Sequence, residues 1–525
     1  MDFAASGGSP REVNPWIVAI SVMFGTFMVV LDTTVVNVSL PYIAGSLSAS
    51  IEESTWALTS YLAANAIVLP ITGWLASYVG RKRLLELAVL GFAGASFVCG
   101  LSPSLEVLIL FRVIQGATGG FMQPLSQAVM LEAFPSRERG KAMAFWGVGV
   151  VLAPILGPVL GGWLTDTYSW RWVFFINIPV GVVAFIMTRL FIFDPPYLRR
   201  PTTRIDYAGI GLLAVGIGAL QVGLDKGQEK DWFSSTLITG LLVTAGLALI
   251  VLLIRELTIP HPVVDLRVFK KRTYAAGVVL FTLMGFVLYG SLVLIPVLLQ
   301  TLLGYPPLQA GITMSPRGVG TLMAMVMVGI IVMRVDPRKI LGAGFLISAL
   351  TLYWLARLDL NAGFWDFFWP QIVQGIGFGM LFVPLTTVTM DPIPKEEMGN
   401  ATSLFNLMRN IGGSVGIAVV ETMLERSRQT HINILGVHVN PYSTAARQMF
   451  EALRDAFIAL GSDAVTATGR AYAALFGMVE KQASMMSFID VYRLLGLIFL
   501  VSMPLIFLMR RPRHKPGEAG APAAE

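Results

Sequence analysis

Charge is scarce in this chain. Only 13% of its 525 residues are Asp, Glu, Lys or Arg, against about 25% in soluble domains. Hydrophobic residues make up 55%, and the mean hydropathy is +0.70. A soluble core cannot hide that much apolar surface, whereas a bilayer can. Cysteine is nearly absent: Cys99 stands alone, which excludes an internal disulfide and reads as a small buried apolar residue. The four histidines, His261, His431, His438 and His514, fall in expected loops or tails without metal-ligand spacing. No G-x-x-x-x-G-K-[ST] loop occurs, so ATP is not the expected energy source. No acidic pair flanks a basic cavity, as a lipid-linked transferase would need. No cofactor is expected. The stretch Met1 to Asn14 is short and polar and does not read as a signal peptide. The net charge of +6 does not require nucleic acid, because basic residues also orient membrane proteins.

What is present is a series of long apolar runs, each near the roughly 20 residues that cross a bilayer. They predict spans at 16–39, 55–77, 84–101, 107–131, 142–164, 172–193, 207–225, 233–254, 275–299, 308–333, 340–358, 365–390, 400–424 and 490–509. The expected class is therefore all-α and polytopic, with fourteen transmembrane helices. Lys and Arg sort the connections into two groups. One side holds Arg81, Lys82, Arg83, Arg137, Arg139, Lys141, Arg199, Arg200, Arg204, Lys270, Lys271, Arg272, Arg338, Lys339, Arg510, Arg511, Arg513 and Lys515. The short connections opposite hold Arg171, Lys226, Lys230 and Arg357. The positive-inside rule then places both termini in the cytoplasm, which an even number of spans satisfies.

The chain also repeats itself. Arg112-Val-Ile-Gln115-Gly116 resembles Gln371-Ile-Val-Gln374-Gly375; Pro135-x4-Gly140 matches Pro394-x4-Gly399; Gly157 matches Gly416. The shared offset, 259 residues, links the fourth span to the twelfth. Two six-helix units with two helices between them give that separation, and like halves around a midplane site are a transporter architecture. The expected organisation is a cytoplasmic N-terminus (1–15), a six-helix bundle (16–194), two inserted helices with cytoplasmic linkers (195–274), and a second six-helix bundle (275–510). A polar outer segment (425–489) falls within the second bundle, and a disordered cytoplasmic tail (511–525) follows it.

Several motifs resemble one family. Span 1 carries Leu31-Asp32-Thr33-Thr34-Val35-Val36-Asn37-Val38-Ser39-Leu40-Pro41. The loop after span 2 reads Gly73-Trp-Leu-Ala-Ser77-Tyr-Val-Gly80-Arg81-Lys82-Arg83. Span 5 reads Ala153-Pro154-Ile-Leu-Gly157-Pro158-Val-Leu-Gly161-Gly162, and Trp170-Arg171-Trp172-Val-Phe-Phe-Ile-Asn177-Ile-Pro179-Val-Gly181 follows it. These stretches, over nearly the whole chain, resemble the fourteen-helix drug:proton antiporters of the major facilitator superfamily, of the EmrB/QacA type. The resemblance implies a secondary transporter rather than an enzyme. It implies export of hydrophobic or amphipathic compounds from the bacterial inner membrane, driven by the proton gradient. EmrB-type pumps work with a periplasmic adaptor and an outer-membrane channel. One departure is Ser77, where many members carry Asp; a charge clamp through that position is not carried over.

An ionisable group deep in a span is costly and marks function. Asp32 and Arg112 are placed at similar depth by the rise of about 1.5 Å per residue, so contact is expected. Burial favours a protonated acid and a nearby cation favours the ionised one. The pair is thus either a proton-coupling site or a static ion pair that orients helices. Arg317 and Arg409 are expected as structural or gating residues, and Glu421 as a weaker proton-exchange group. The small residues and prolines of span 5, Pro154, Gly157, Pro158, Gly161 and Gly162, permit close, flexible packing. They read as a gate between halves or as tight static packing. Gly73, Gly80, Arg81 and Lys82 read as an inner latch, or simply as topology signals. Asn37, Tyr61, Asn65, Gln115, Gln123, Tyr289, Gln300, Gln371 and Gln374 are the expected substrate-cavity residues. Such a cavity, softened by Met, suits hydrophobic or amphipathic substrates. In the outer segment, Met449, Phe450, Leu453, Phe457 and Leu460 form one helical stripe, and a second helix is expected over 468–487. This hairpin would dock an adaptor or fold over the transporter's own outer face. A passive facilitator, or an exporter of fatty acids or siderophores, shares the same pattern.

Overall fold

The computed structural model describes residues 14–135, 138–194, 206–260, 262–332, 334–440 and 442–509, apart from the side chains at 51, 52, 155, 158, 307 and 308. Arg137, Arg199, Arg200, Arg204, the basic residues from Arg510 onward, the expected disordered tail, His261 and His514 lie outside these residues. Fifteen helices organise what is described. They are α1 (Pro15–Ser46), α2 (Trp56–Val79), α3 (Arg81–Leu101), α4 (Leu105–Ala133), α5 (Arg139–Thr167), α6 (Trp172–Phe191), α7 (Tyr207–Gly227) and α8 (Thr236–Thr258), followed by α9 (Arg272–Leu302), α10 (Pro307–Ile331), α11 (Pro337–Leu355), α12 (Phe364–Met390), α13 (Met398–His438), α14 (Thr444–Ala459) and α15 (Ala464–Leu508). Fourteen of them, all but α14, stand where spans are expected. Twelve are long and apolar enough to cross a membrane; α11 and α13 fall short of that measure.

Local chemistry sets the helix ends. The Asn14 side chain accepts from the Trp16 N–H with Pro15 at the first helical position, and Asp336 with Pro337 opens α11 in the same way. Both leave fewer orphan donors at a helix start. The break between α2 and α3 is Gly80, whose φ of +99° lies where side chains are strained. A Cβ there would also press on the Asp194 carboxylate.

Close glycine contacts make the internal repeat physical. A Cβ on Gly116 of α4 would overlap the Tyr61 backbone of α2, and one on Gly120 would press on Asn65. In the second half, Gly375 of α12 meets Arg317 of α10, and Gly379 meets Thr321. The α2–α4 pair thus has its counterpart in α10–α12. In like manner α1 packs on α5 through Gly157 and Gly161, and α9 packs on α13 through Gly412 and Gly416. Small residues let backbones approach where lipid supplies no hydrophobic drive.

The inserted helix α7 touches both halves. Lys226 donates to Thr55 Oγ1 at 2.7 Å, and Asp225 accepts from Thr59, both on the α2 side. Gln221 accepts from Ser414 of α13 at 2.9 Å, and just past α7 Trp232 Nε1 donates to Thr422 at 2.8 Å.

The outer segment departs from the expected separate hairpin. α13 runs unbroken for 41 residues to His438, and the helix expected over 468–487 is the first part of α15, which continues into the last span. Only α14 is an independent element, capped by Ser443. Polarity changes where a helix leaves the hydrocarbon, but the backbone hydrogen bonds do not, so a compositional boundary was not a structural one. Arg428 ties the two extended helices together through Glu480 at 2.8 Å, and His431 contacts Asp490 at 2.7 Å.

Candidate functional site

Asp32 and Arg112 meet in the middle of the first bundle. Arg112 Nη1 lies 2.5 Å from Asp32 Oδ2, and both side chains are fully buried. Two helices aim three donors at the carboxylate. Besides Arg112 from α4, Gln115 Nε2 donates to Oδ1 at 2.9 Å, and Asn177 Nδ2 of α6 donates to the same oxygen at 2.8 Å. Arg112 also donates to Gln115 Oε1 at 2.8 Å and to the Ala57 carbonyl of α2 at 2.8 Å. Its guanidinium lies 4.1 Å from the centre of the Tyr61 ring, a cation–π contact that helps hold a desolvated cation. Asn177 in turn donates to Ser96 of α3 at 3.0 Å. A charge this deep persists only when paired and hydrogen-bonded, and this shell supplies both. Every contact on Asp32 comes from a donor. A proton on that carboxyl would therefore need at least one of them to move away or turn.

The expected cavity residues fall in several different settings. Tyr61 and Gln115 belong to the Asp32 shell. Gln371 and Gln374 are fully buried in the second bundle, and among the described residues neither amide has a hydrogen-bond partner. Gln123 accepts from Arg409 at 2.9 Å. Asn65 and Tyr289 are half-buried, the latter against Gly413, while Asn37 and Gln300 are exposed. The cause is general: in a bundle surrounded by hydrocarbon, polar side chains turn into helix–helix contacts as readily as into a central cavity.

The gating candidates separate by position. Gly73 donates its N–H to Ser403 Oγ at 3.1 Å, and a Cβ there would overlap the Asn400 backbone. Thr402 donates to the Pro124 carbonyl at 3.2 Å, and Asn406 donates to Gln127 at 2.6 Å. With Arg409–Gln123 these hydrogen bonds join the two halves, and they lie toward the end of the molecule that carries the described termini. Gly140 of α5 faces Val332, just past α10, and Gly147 faces Met325 of α10 at this seam. By contrast Gly157 and Gly161 pack on α1 within their own half, Gly162 has open space, and Pro154 is exposed. The side chain of Pro158 lies outside the described residues. The interface between halves therefore uses the start of α5, not its Gly-Pro stretch. Arg81, itself buried, pairs with the half-buried Glu132 of α4. Lys82 Nζ donates to the Arg189 carbonyl at 2.6 Å, and its N–H donates to Asp194 at 2.9 Å. Both contacts stay within the first half.

Asn177, Ser96, Glu132, Gln127 and Asn406 are the partners that sequence reasoning did not assign. An Asn inside an apolar run is the one visible signal, and Asn177 carries it.

Two like helical bundles, each sealing a buried polar cluster, with a seam closed at one end, define a multi-pass membrane carrier. The chain belongs to the Major Facilitator Superfamily, whose model matches residues 22–417. It is a transporter, not an enzyme. It is 38% identical to "Multidrug export protein EmrB" of Escherichia coli (strain K12), over 96% of this chain and 97% of that one. It is 37% identical to "Fatty acid resistance protein FarB" of Neisseria gonorrhoeae, over 95% and 97% of the two chains. It is 28% identical to "Colistin resistance protein EmrB" of Acinetobacter baumannii, over 94% and 96%. The fold is shared with the human organic anion transporter MFSD10, at TM-score 0.57 and 13% identity, over 94% of this chain and 100% of that one. It is also shared with the proton:xylose symporter XylE, at TM-score 0.56 and 14% identity, over 93% and 95%.

Proposed function

We propose that this chain is a proton-coupled exporter of hydrophobic and amphipathic toxic compounds, with all fourteen rods spanning the bacterial inner membrane and both termini in the cytoplasm. Export of several drugs is the reading favoured by the names of its relatives. The observation that carries proton coupling is the Asp32–Arg112 pair, sealed from solvent and surrounded only by donors. The orientation rests on the basic connections, which places the closed seam on the cytoplasmic side.

The coupling step follows from that geometry. Arg112 retracts toward the Ala57 carbonyl and the Tyr61 ring, which it already contacts. Gln115 then turns its amide so that the oxygen, freed from Arg112, accepts from a protonated Asp32. The neutral acid no longer needs its cation, and the helices that meet at the pair, α1, α2, α4 and α6, can shift together. Opening the seam at Gly73–Ser403 and Arg409–Gln123 returns the proton to the cytoplasm as substrate loads. Substituting Asp32→Asn removes the titrating group and keeps the shape. Proteoliposomes of that variant should show no substrate-triggered proton movement; movement at the wild-type rate would refute the assignment. A passive facilitator would move substrate without proton flux in the wild type too.

A fatty-acid exporter is the second reading, favoured by the likeness to a protein named for fatty acid resistance. Growth across a panel of uncouplers, dyes, antibiotics and long-chain fatty acids, with and without the protein, separates the two.

The outer segment presents Tyr442, Leu460, Val465, Tyr472 and Phe476, all well exposed. Apolar side chains grouped on a surface outside the membrane mark an interaction site. A periplasmic adaptor, leading to an outer-membrane channel, is the partner that fits. Replacing Leu460, Val465 and Phe476 by Ser should abolish copurification of the adaptor without lowering expression. Intact copurification would exclude this face.

A further inference from the structure

The two bundles treat their buried charge differently. In the first, the cation Arg112 sits on α4 and its carboxylate on α1. In the second, the repeat puts Gln371 where α4 has Arg112 and Gln374 where it has Gln115. The cation has moved to the neighbouring helix: Arg317 of α10 packs on Gly375 as Tyr61 of α2 packs on Gly116. The acid has not moved with it. The first helix of this half, α9, offers only the hydroxyl of Ser291, which accepts from Arg317 Nη2 at 2.8 Å.

Arg317 is 6% exposed, and its guanidinium lies 4.8 Å from the centre of the Phe378 ring. Among the described residues no carboxylate pairs with it. Among the same residues its Nη1 has no hydrogen-bond partner, nor has either amide end of Gln371 or Gln374, nor the hydroxyl of Tyr492, whose position lets it feel the Arg317 charge. Gln371, Gln374 and Phe378 share one face of α12 by their spacing. Buried polar atoms are almost always satisfied, and a group of orphans around an unpaired cation calls for an explanation. A neutral partner does not supply the missing charge.

We propose that the second bundle binds a monovalent anion, chloride or a carboxylate, on Arg317, with the amide N–H groups of Gln371 and Gln374 and the Tyr492 hydroxyl completing its shell. The anion takes the part that Asp32 plays in the first bundle. The carboxylate could be the head of an amphipathic substrate or a free ion; the chemistry is the same.

The test is thermal unfolding of the purified protein in detergent at constant ionic strength, with no proton gradient. One series replaces isethionate, a bulky sulfonate, by chloride; a second adds decanoate, with decanol as the neutral control. The expected result is a Tm rising by about 1 °C for each tenfold increase of the bound anion above its Kd. A response to chloride assigns a free ion, and a response to decanoate but not decanol assigns a substrate head group. Arg317→Gln should lose the response. Ser291→Asp should lose it as well, since it supplies an internal carboxylate, and it decides the matter where Arg317→Gln does not fold. Asp32→Asn should keep it, which separates this proposal from proton coupling. No response to either anion in the wild type, or an undiminished response in Ser291→Asp, would overturn it.

Discussion

Asp32 takes hydrogen bonds from Arg112, Gln115 and Asn177 at once, so the cost of losing each partner differs. Arg112→Ala strands a carboxylate among apolar side chains, and removing one member of a buried pair costs about 3–5 kcal/mol. Its Tm should fall well below that of Asp32→Asn, which leaves Arg112 its bonds to Ala57 and Gln115. The double variant should be more stable than Arg112→Ala alone. Additive losses would mean that the two side chains do not interact. At this scale the sequence was informative about charge and poor about neutral partners. A lone Asp or Arg in an apolar run stands out because desolvation forbids it by default. Gln115, Gln371 and Gln374 look alike in the sequence, yet one is fully engaged and two are orphans. What separates them is a neighbouring helix that supplies Asp32 in one half and Ser291 in the other.

Helices show the same division. Long apolar runs fixed where the rods lie, because about 30 Å of hydrocarbon sets their length. Their ends were less legible: α1 runs on to Ser46 and α13 to His438, since a helix need not stop where lipid does. The start of α15 is set by a cap. Asp463 accepts from the N–H groups of Val465 and Thr466, and a hydrogen bond from the Thr466 side chain, together with these, holds its carboxyl below the ordinary carboxylate range. A lowered acid contributes its cap fully above that ordinary range and loses it as pH falls through the lowered value. Protection from hydrogen exchange in the first turn of α15, taken relative to the intrinsic rate at each pH, should therefore fall on acidification, and also in Asp463→Ala at neutral pH; equal protection in all three would contradict the cap. At the seam, Gly73→Val places a branched side chain against the Asn400 backbone. Spin labels at Ser77→Cys and Lys395→Cys should then report a wider separation than in the Gly73 protein. Cys99 does not interfere, because it is buried. An unchanged distance would mean that α2 and α13 do not form the gate.

The whole molecule is two related bundles that have diverged at their centres. One keeps an acid and a base together, and the other keeps a cation with neutral neighbours. The helix α7 spans the gap between them, bonded to α2 through Asp225 and to α13 through Gln221. The repeat was visible in the sequence because Gly116 and Gly375 serve the same close approach. The closed seam was not, because its contacts join residues such as Gln127 and Asn406 that lie 279 positions apart. The central claim is that proton movement through Asp32 drives export. Its most direct measurement is internal pH in proteoliposomes on adding substrate, for wild type and Asp32→Asn side by side. The account predicts substrate-triggered proton flux in the wild type and none in the variant, with substrate still bound. Equal flux in both would contradict it.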